Sequence, residues 1–172
     1  NKPPFKSLTT TFNKILSIAC CMQPWTVTYA PKSTKDILGQ DHAAAFLRSF
    51  VTQFTKQKKR ALLLYGPPGS GKTCAAYALA HELNYEILEV NASDFRNEQK
   101  LNASIGQASR QRSLFAVSKI LLVDEVEGVF GQLDYGAIPT LVRLINETSY
   151  PIILPANDPW DKKFSQLRAA CE

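Results

Sequence analysis

Long apolar runs are missing from these 172 residues, and none approaches the ~20 residues that a helix needs to span a bilayer. No membrane partner is therefore expected. Cysteine is scarce. Cys20, Cys21, Cys74 and Cys171 form no Cys-x-x-Cys, and no His completes a zinc site beside them. They read as free thiols of a reducing cytoplasm. Internal repeats and low-complexity tracts are absent too, which excludes solenoids and biased disordered segments. Acidic residues are nearly missing from the first third: residues 1–60 hold ten Lys/Arg against two Asp/Glu, net +8, whereas residues 61–172 hold ten against thirteen, net −3. A basic excess of this kind suits nucleic acid or an acidic partner, although the run Lys56–Arg60 reads more simply as a solvated connection before a buried strand.

What is present is an apolar fraction of 45%, enough for one globular core. Residues 1–21 stand apart as an extension of uncertain status, expected to be disordered, and 22–172 as the core. Lys2 and Lys6 before the stretch Ile15–Met22 imitate a secretory signal, but Ser17 interrupts it and no small-residue cleavage site follows. Met22 reads as the natural start.

From Gln23 the order of elements is legible. Trp25 to Lys35 reads as an extended arm. Asp41 to Gln57 is expected as a helix, since Ala43, Phe46/Leu47, Phe50/Val51 and Phe54 recur at three-to-four spacing. Short apolar runs at 61–65, 86–90, 119–123 and 151–155 are expected as strands. Helices are expected at 71–83, 98–111 and 136–147. Strands alternating with helices give right-handed crossovers and a parallel sheet with helices on both faces. Ligands of such sheets bind beyond the carboxyl ends of the strands, and three chemical segments fall at those ends.

The first is Gly66-Pro67-Pro68-Gly69-Ser70-Gly71-Lys72-Thr73, which fits G-x-x-x-x-G-K-[ST] without a gap. Its glycines let the backbone curl so that N–H groups face phosphates, and the following helix adds its positive end. Lys72 would reach the β- and γ-phosphates of ATP, and Thr73 would ligate Mg²⁺. The second is Ile120–Glu125, an apolar strand ending in two carboxylates. Asp124 suits a partner of the Mg²⁺ shell, and Glu125 is placed to polarise the water that attacks the γ-phosphate. The third ends in Asn157, whose amide can bond the γ-phosphate or orient that water. Alone, two acids at a strand end or an Asn in a turn would be unremarkable; their order along the chain makes them a set.

These segments, with Asn91-Ala92-Ser93-Asp94, Ser113-Leu114-Phe115, Asp124-Glu125-Val126 with Gly128, and Ala156-Asn157-Asp158-Pro159, resemble the AAA+ clamp loaders, most closely the large-subunit branch of archaeal replication factor C. The resemblance runs from about Gln23 to Glu172. It implies an α/β fold: an AAA+ P-loop NTPase core, truncated before the helical lid. It also implies an ATPase subunit that loads a PCNA-type sliding clamp onto primed double-stranded DNA, with replication factor C small subunits as neighbours, in the cytoplasm and near the nucleoid. Tyr29, Pro31, Ile37, Leu38 and Gly39 correspond to the family's adenine-enclosing arm. Arg110 and Arg112 would touch DNA phosphates, and Leu114 and Phe115 the clamp or the sheet. Ala170 stands where small subunits carry the arginine that completes a neighbour's ATP site. Other departures are Thr28 and Ala30 in place of the arm's Lys and Arg, and Glu127 in place of Asp in the Asp-Glu-Val-x-Gly block. The sheet is expected to stop before a fifth strand, leaving the strand of the phosphate loop as a raw edge.

Three rivals follow from the same residues. One is a nucleotide-gated assembly subunit with negligible hydrolysis, which Glu125 and Asn157 argue against. Another is a junction-migration motor or origin-binding initiator, from which the 91–94 and 124–128 blocks separate the chain. A small-molecule P-loop kinase is disfavoured because no acceptor-site lid is recognisable.

Overall fold

Four short segments, β1 (Ala61–Tyr65), β2 (Glu86–Asn91), β3 (Lys119–Asp124) and β4 (Ile152–Ala156), form one parallel sheet in the order β1-β4-β3-β2. The computed structural model describes residues 24–91, 118–124, 126–129 and 137–172. The helices are α1 (Trp25–Thr28), α2 (Asp41–Thr52), α3 (Lys72–Leu83), α4 (Ala137–Glu147) and α5 (Ser165–Ala170). No helix among the described residues is long and apolar enough to cross a membrane.

The strands are apolar on both faces, as a sheet covered by helices on both sides requires. Alternation sorts them: Ala61, Leu121, Val123, Ile152 and Leu154 point to one face, and Leu62, Ile120, Leu122 and Ile153 to the other. The first set packs with Leu141 and Ile145 of α4, Phe164, and Leu167 of α5. The second packs with Leu47, Phe50 and Val51 of α2 and with Ala76, Leu79 and Ala80 of α3. Each large aliphatic residue buried in this way contributes about 1.5–3 kcal/mol. The alanines of α3 let its axis approach the sheet closely, which brings its N-terminus over the strand ends. The doubly covered parallel sheet expected from the sequence is therefore the observed architecture.

The chain divides into two compact units, Asn1–Ala30 and Pro31–Glu172. In the first, the expected extended arm is instead a helical turn. Pro24 caps it: its carbonyl accepts the N–H groups of Val27 and Thr28 at 2.8 and 3.0 Å. In the second, Thr34–Asp36 also curls, as a 3-10 turn closed by a capping box between Ser33 and Asp36. At the second place polar side chains that satisfy nearby backbone N–H groups win over extension; at the first no side chain caps an N–H, and the Thr28 hydroxyl donates to the Pro24 carbonyl at 3.3 Å.

Helix α2 stops at Thr52, short of the expected Gln57, and a separate 3-10 turn covers Phe54–Lys56. The Thr52 hydroxyl donates back to the Arg48 carbonyl at 2.8 Å, a bond that competes with helix continuation. Its buried stripe is Ala44, Leu47, Phe50 and Val51, while Phe46 stays 53% exposed. Leu47, Phe50, Val51 and Phe54 are thus buried as the spacing predicts, and the stripe takes in Ala44 in place of Ala43 and Phe46.

The outer side of β1 is not a raw edge. Ala61 bridges Cys171 in parallel fashion, Leu63 N–H donates to the Glu172 carbonyl at 3.1 Å, and Glu172 N–H donates to the Ala61 carbonyl at 2.9 Å. Strand pairing begins there because α5 delivers the chain alongside β1.

Candidate active site

Sheet register decides which side chains meet. Tyr65 pairs with Ala156 and Asn91 with Asp124, so the last residues of all four strands lie at one end of the sheet. Gly66 N–H donates to the Ala156 carbonyl at 3.2 Å, which ties the start of the phosphate loop to the end of β4. Gly69 and Gly71 adopt φ of 77° and 87°, a left-handed region that L side chains rarely enter. A Cβ on Gly69 would meet nothing within 4 Å, so backbone conformation rather than crowding demands glycine there. Gly71 caps α3, and the helix starts with its unpaired N–H groups at the loop, a ready site for an anion.

Lys72 is the first residue of α3 and folds back over the loop. Its ammonium donates to the carbonyls of Gly66 and Pro67, each at 2.9 Å, and to Asn157 Oδ1 at 3.0 Å. All three of its donors therefore rest on neutral oxygens, held where an anion entering the loop would meet them. One residue further on, the Thr73 hydroxyl donates to Asp124 Oδ2 at 3.4 Å. Hydroxyl and carboxylate side by side at a phosphate loop are two hard oxygen donors, the kind Mg²⁺ takes alongside phosphate oxygens. Among the described residues no cluster of three or more His, Cys, Asp or Glu could hold a metal alone. The Thr73 hydroxyl and the Asp124 carboxylate fit a cation that arrives with phosphates.

Asn157 follows β4, and its partner is a residue that sequence reasoning passed over. Glu127, on the 3-10 turn Val126–Val129 that follows β3, accepts from Asn157 Nδ2 at 2.6 Å, from Asp158 N–H at 2.7 Å and from Asn157 N–H. Its only signal in the sequence was the departure from Asp in the Asp-Glu-Val-x-Gly block.

Lys72, Thr73, Asp124, Glu127 and Asn157 border one cleft of about 470 Å³, which also takes in Cys74. A smaller cavity of about 140 Å³ adjoins it, lined by Ile37, Gln40, Ala43, Leu47 and Tyr65 among others, and both share Gly71 and Lys72. A charged end continuous with an apolar end is the shape that a nucleoside triphosphate requires. Pro68 and Gly69 border the larger cavity; Gly66, Pro67 and Ser70 border the smaller.

The expected arm is less well represented. Ile37 lines the smaller cavity, but Pro31, Leu38 and Gly39 do not, and Leu38 is 90% exposed. Tyr29 belongs to the first unit, where its ring meets Trp25 edge-on at 6.5 Å. Glu125, Ala92, Ser93, Asp94, Arg110, Arg112, Leu114 and Phe115, with the helix expected at 98–111, lie outside the described residues.

One titration is strongly perturbed beside the site. The Tyr77 phenol, one turn after Thr73 on α3, is pushed up to about 12, first by burial and then by its bond to Glu89 and by the charges of Glu89 and Asp124. It stays protonated and donates to Glu89 Oε2 at 2.5 Å, linking α3 to β2.

Over residues 62–168 the chain matches the ATPase family associated with various cellular activities (AAA). It is 48% identical over 146 residues to the replication factor C large subunit of Nanoarchaeum equitans, covering 84% of this chain and 34% of that protein. The protein of the same name from Staphylothermus marinus is 44% identical over 149 residues, with 86% and 35% covered. That from Thermofilum pendens is 42% identical over 152 residues, with 87% and 37% covered. The chain spans about a third of the length of these curated relatives.

Proposed function

The chain belongs to the ATPase family associated with various cellular activities (AAA), and on that premise we propose that it is the ATP-binding and hydrolysing core of a clamp-loader large subunit. The observation that carries the site is the convergence of Lys72 with Asn157 at 3.0 Å and of Thr73 with Asp124 at 3.4 Å, at the carboxyl ends of three adjacent strands. Similarity to the replication factor C large subunits over most of the chain supports the clamp-loader assignment. The partners are replication factor C small subunits, a PCNA-type sliding clamp and primed double-stranded DNA.

Each residue has a part. The loop from Gly66 to Thr73 wraps the phosphates with backbone N–H groups and the end of α3. Lys72 exchanges the Gly66 and Pro67 carbonyls for β/γ-phosphate oxygens and keeps Asn157 Oδ1. Thr73 and Asp124 hold Mg²⁺, which when bound neutralises charge on the phosphate oxygens. Asn157 holds an amide toward the γ-phosphate or the attacking water. Glu125, next after Asp124 in the sequence, takes the proton from that water. Ile37 and the walls of the smaller cavity receive the base; Tyr29, Pro31, Leu38 and Gly39 are assigned to the adenine-enclosing arm on the family resemblance. The stimulating arginine comes in trans from a neighbouring small subunit, a contribution on the order of 10³–10⁵ in rate in related NTPases, while this chain, with Ala170, donates none from that position. Hydrolysis by the chain alone is accordingly barely above background.

The test is Glu125→Gln in the assembled loader with clamp and primed DNA. Nucleotide binding is expected to persist and turnover to stop; turnover at the wild-type rate would remove Glu125 from the role of base. Removing the charges of Arg110 and Arg112 is expected to weaken DNA binding and flatten its salt dependence, and an unchanged salt slope would count against a phosphate role.

A further inference from the structure

We propose that Glu127 is a positioning residue that sets which edge of the Asn157 amide faces Lys72, and that through Asn157 it also seats the Lys72 ammonium. This rests on the ATPase reading of the cleft. A side-chain amide has two orientations of nearly the same shape, one turned half a revolution from the other, and only its neighbours choose between them. Here the neighbours leave no choice. Lys72 is a donor without acceptors, so it demands the amide oxygen, which it meets at 3.0 Å. The Glu127 carboxylate accepts only, so it demands the amide N–H, which it meets at 2.6 Å. Its other oxygen takes the backbone N–H groups of Asn157 and Asp158, fastening the residue that follows β4 to the turn that follows β3.

Two consequences follow for the reaction. Nδ2 carries two N–H groups and Glu127 uses one of them, which leaves the second to a γ-phosphate oxygen or to the attacking water. Asn157 Oδ1, turned the other way, completes the three acceptors that hold Lys72 over the loop. The cluster therefore links the turn after β3 with the phosphate loop through a single amide.

The discriminating variant is Glu127→Gln, because it keeps the shape. The Gln oxygen can still accept from the two backbone N–H groups, but its Nε2 then confronts Asn157 Nδ2, donor against donor. Turning the Asn157 amide to relieve that conflict sets Nδ2 against the Lys72 ammonium instead. Neither orientation satisfies both neighbours. In the assembled loader with clamp and primed DNA, Glu127→Gln is expected to lower kcat by about tenfold or more, toward the roughly 10²–10³ lost when a transition-state donor is removed. ATP affinity, read with a fluorescent ATP analogue, is expected to stay within about threefold, well under the free energy of a tenfold step. Glu127→Asp retains an acceptor-only group and is expected to restore most of the rate. A second readout needs no turnover: in nucleotide-free protein labelled with ¹⁵N-asparagine, the Asn157 side-chain NH₂ resonance, assigned by its loss in Asn157→Asp, is expected to shift in Glu127→Gln and to stay near its native position in Glu127→Asp. An unchanged kcat or an unmoved resonance in Glu127→Gln would overturn the proposal. So would equal damage from Gln and Asp accompanied by a lowered melting temperature, the mark of a merely structural role. Lys72→Ala is the control: if it leaves ATP affinity intact, the reading of the cleft has failed rather than the role of Glu127.

Discussion

Replacing Lys72 with alanine separates nucleotide binding from folding, and the two magnitudes can be worked from the same three hydrogen bonds. The ammonium rests on Gly66 O, Pro67 O and Asn157 Oδ1. All three border open clefts, so water replaces the lost donor at each. An ammonium at a solvent-open cleft whose contacts are exchanged in that way is worth about 0–1 kcal/mol net for the set, and alanine returns a few tenths as a better helix former in α3. The change in folding free energy is therefore expected to stay below about 1 kcal/mol. With ATP bound, the same ammonium makes charge-assisted bonds to phosphate oxygens, about 1.5–3 kcal/mol each. Two such bonds, less the neutral contacts released, leave about 3–4 kcal/mol, or a loss of roughly 10²–10³ in affinity. Titration calorimetry with Mg·ATP and urea denaturation on the same preparations measure both quantities. A loss of affinity under about tenfold, or a stability loss above about 2 kcal/mol, would refute the reasoning; the first would place the phosphates elsewhere, the second would make Lys72 a structural prop.

Three further outcomes are expected. Ile153→Ala removes a fully buried side chain flanked by Leu62 and Leu122 in register, and is expected to cost about 2–5 kcal/mol, read as a lower urea midpoint at unchanged m; a loss under about 1 kcal/mol would show the sheet collapsing into the space. Burial pushes the Cys171 thiol up to about 12, whereas Cys74 is exposed and borders the larger cleft. At pH 8 alkylation mapped by mass spectrometry should therefore mark Cys74 and spare Cys171, with Mg·ATP slowing the reaction at Cys74; equal labelling of both would contradict the packing of α5 against β1. The Asp161 carboxyl is held below 3.8, first by the Lys163 backbone N–H. A depressed carboxyl stabilises the fold above its ordinary pKa, and that contribution is lost as pH falls through the folded value. The melting-temperature gap between wild type and Asp161→Asn should accordingly be present at pH 6 and close as pH drops below 3.8; a gap that widens in acid would reverse the sign.

Much of the fold is written locally. Runs such as Ile120–Val123 and Ile152–Leu154 are apolar at every position and short, which suits a strand covered on both faces and little else. The phosphate loop is legible because its requirement is local: residues at φ of 77° and 87° must be glycine, and a cation must follow on the first turn of the helix. Less legible were the segments where side chains compete with the backbone. Ser33, Asp36 and Thr52 each bond the nearby main chain; the first two curl part of the arm read as extended, and the third accompanies the early end of the helix read from apolar spacing.

By itself, then, the order of residues determined the covered parallel sheet, the loop Gly66–Thr73 and the candidacy of Asp124 and Asn157, since each depends on neighbours within a few positions. Tertiary structure decided how they meet. Glu127 and Asn157 are thirty residues apart, and Lys72 and Asn157 eighty-five; no period in the chain connects them. They come together because Tyr65 pairs with Ala156 and Leu122 with Ile153. Side chains alternate across a strand, so a slip of one residue in either pairing would carry Asn157 away from both Lys72 and Glu127.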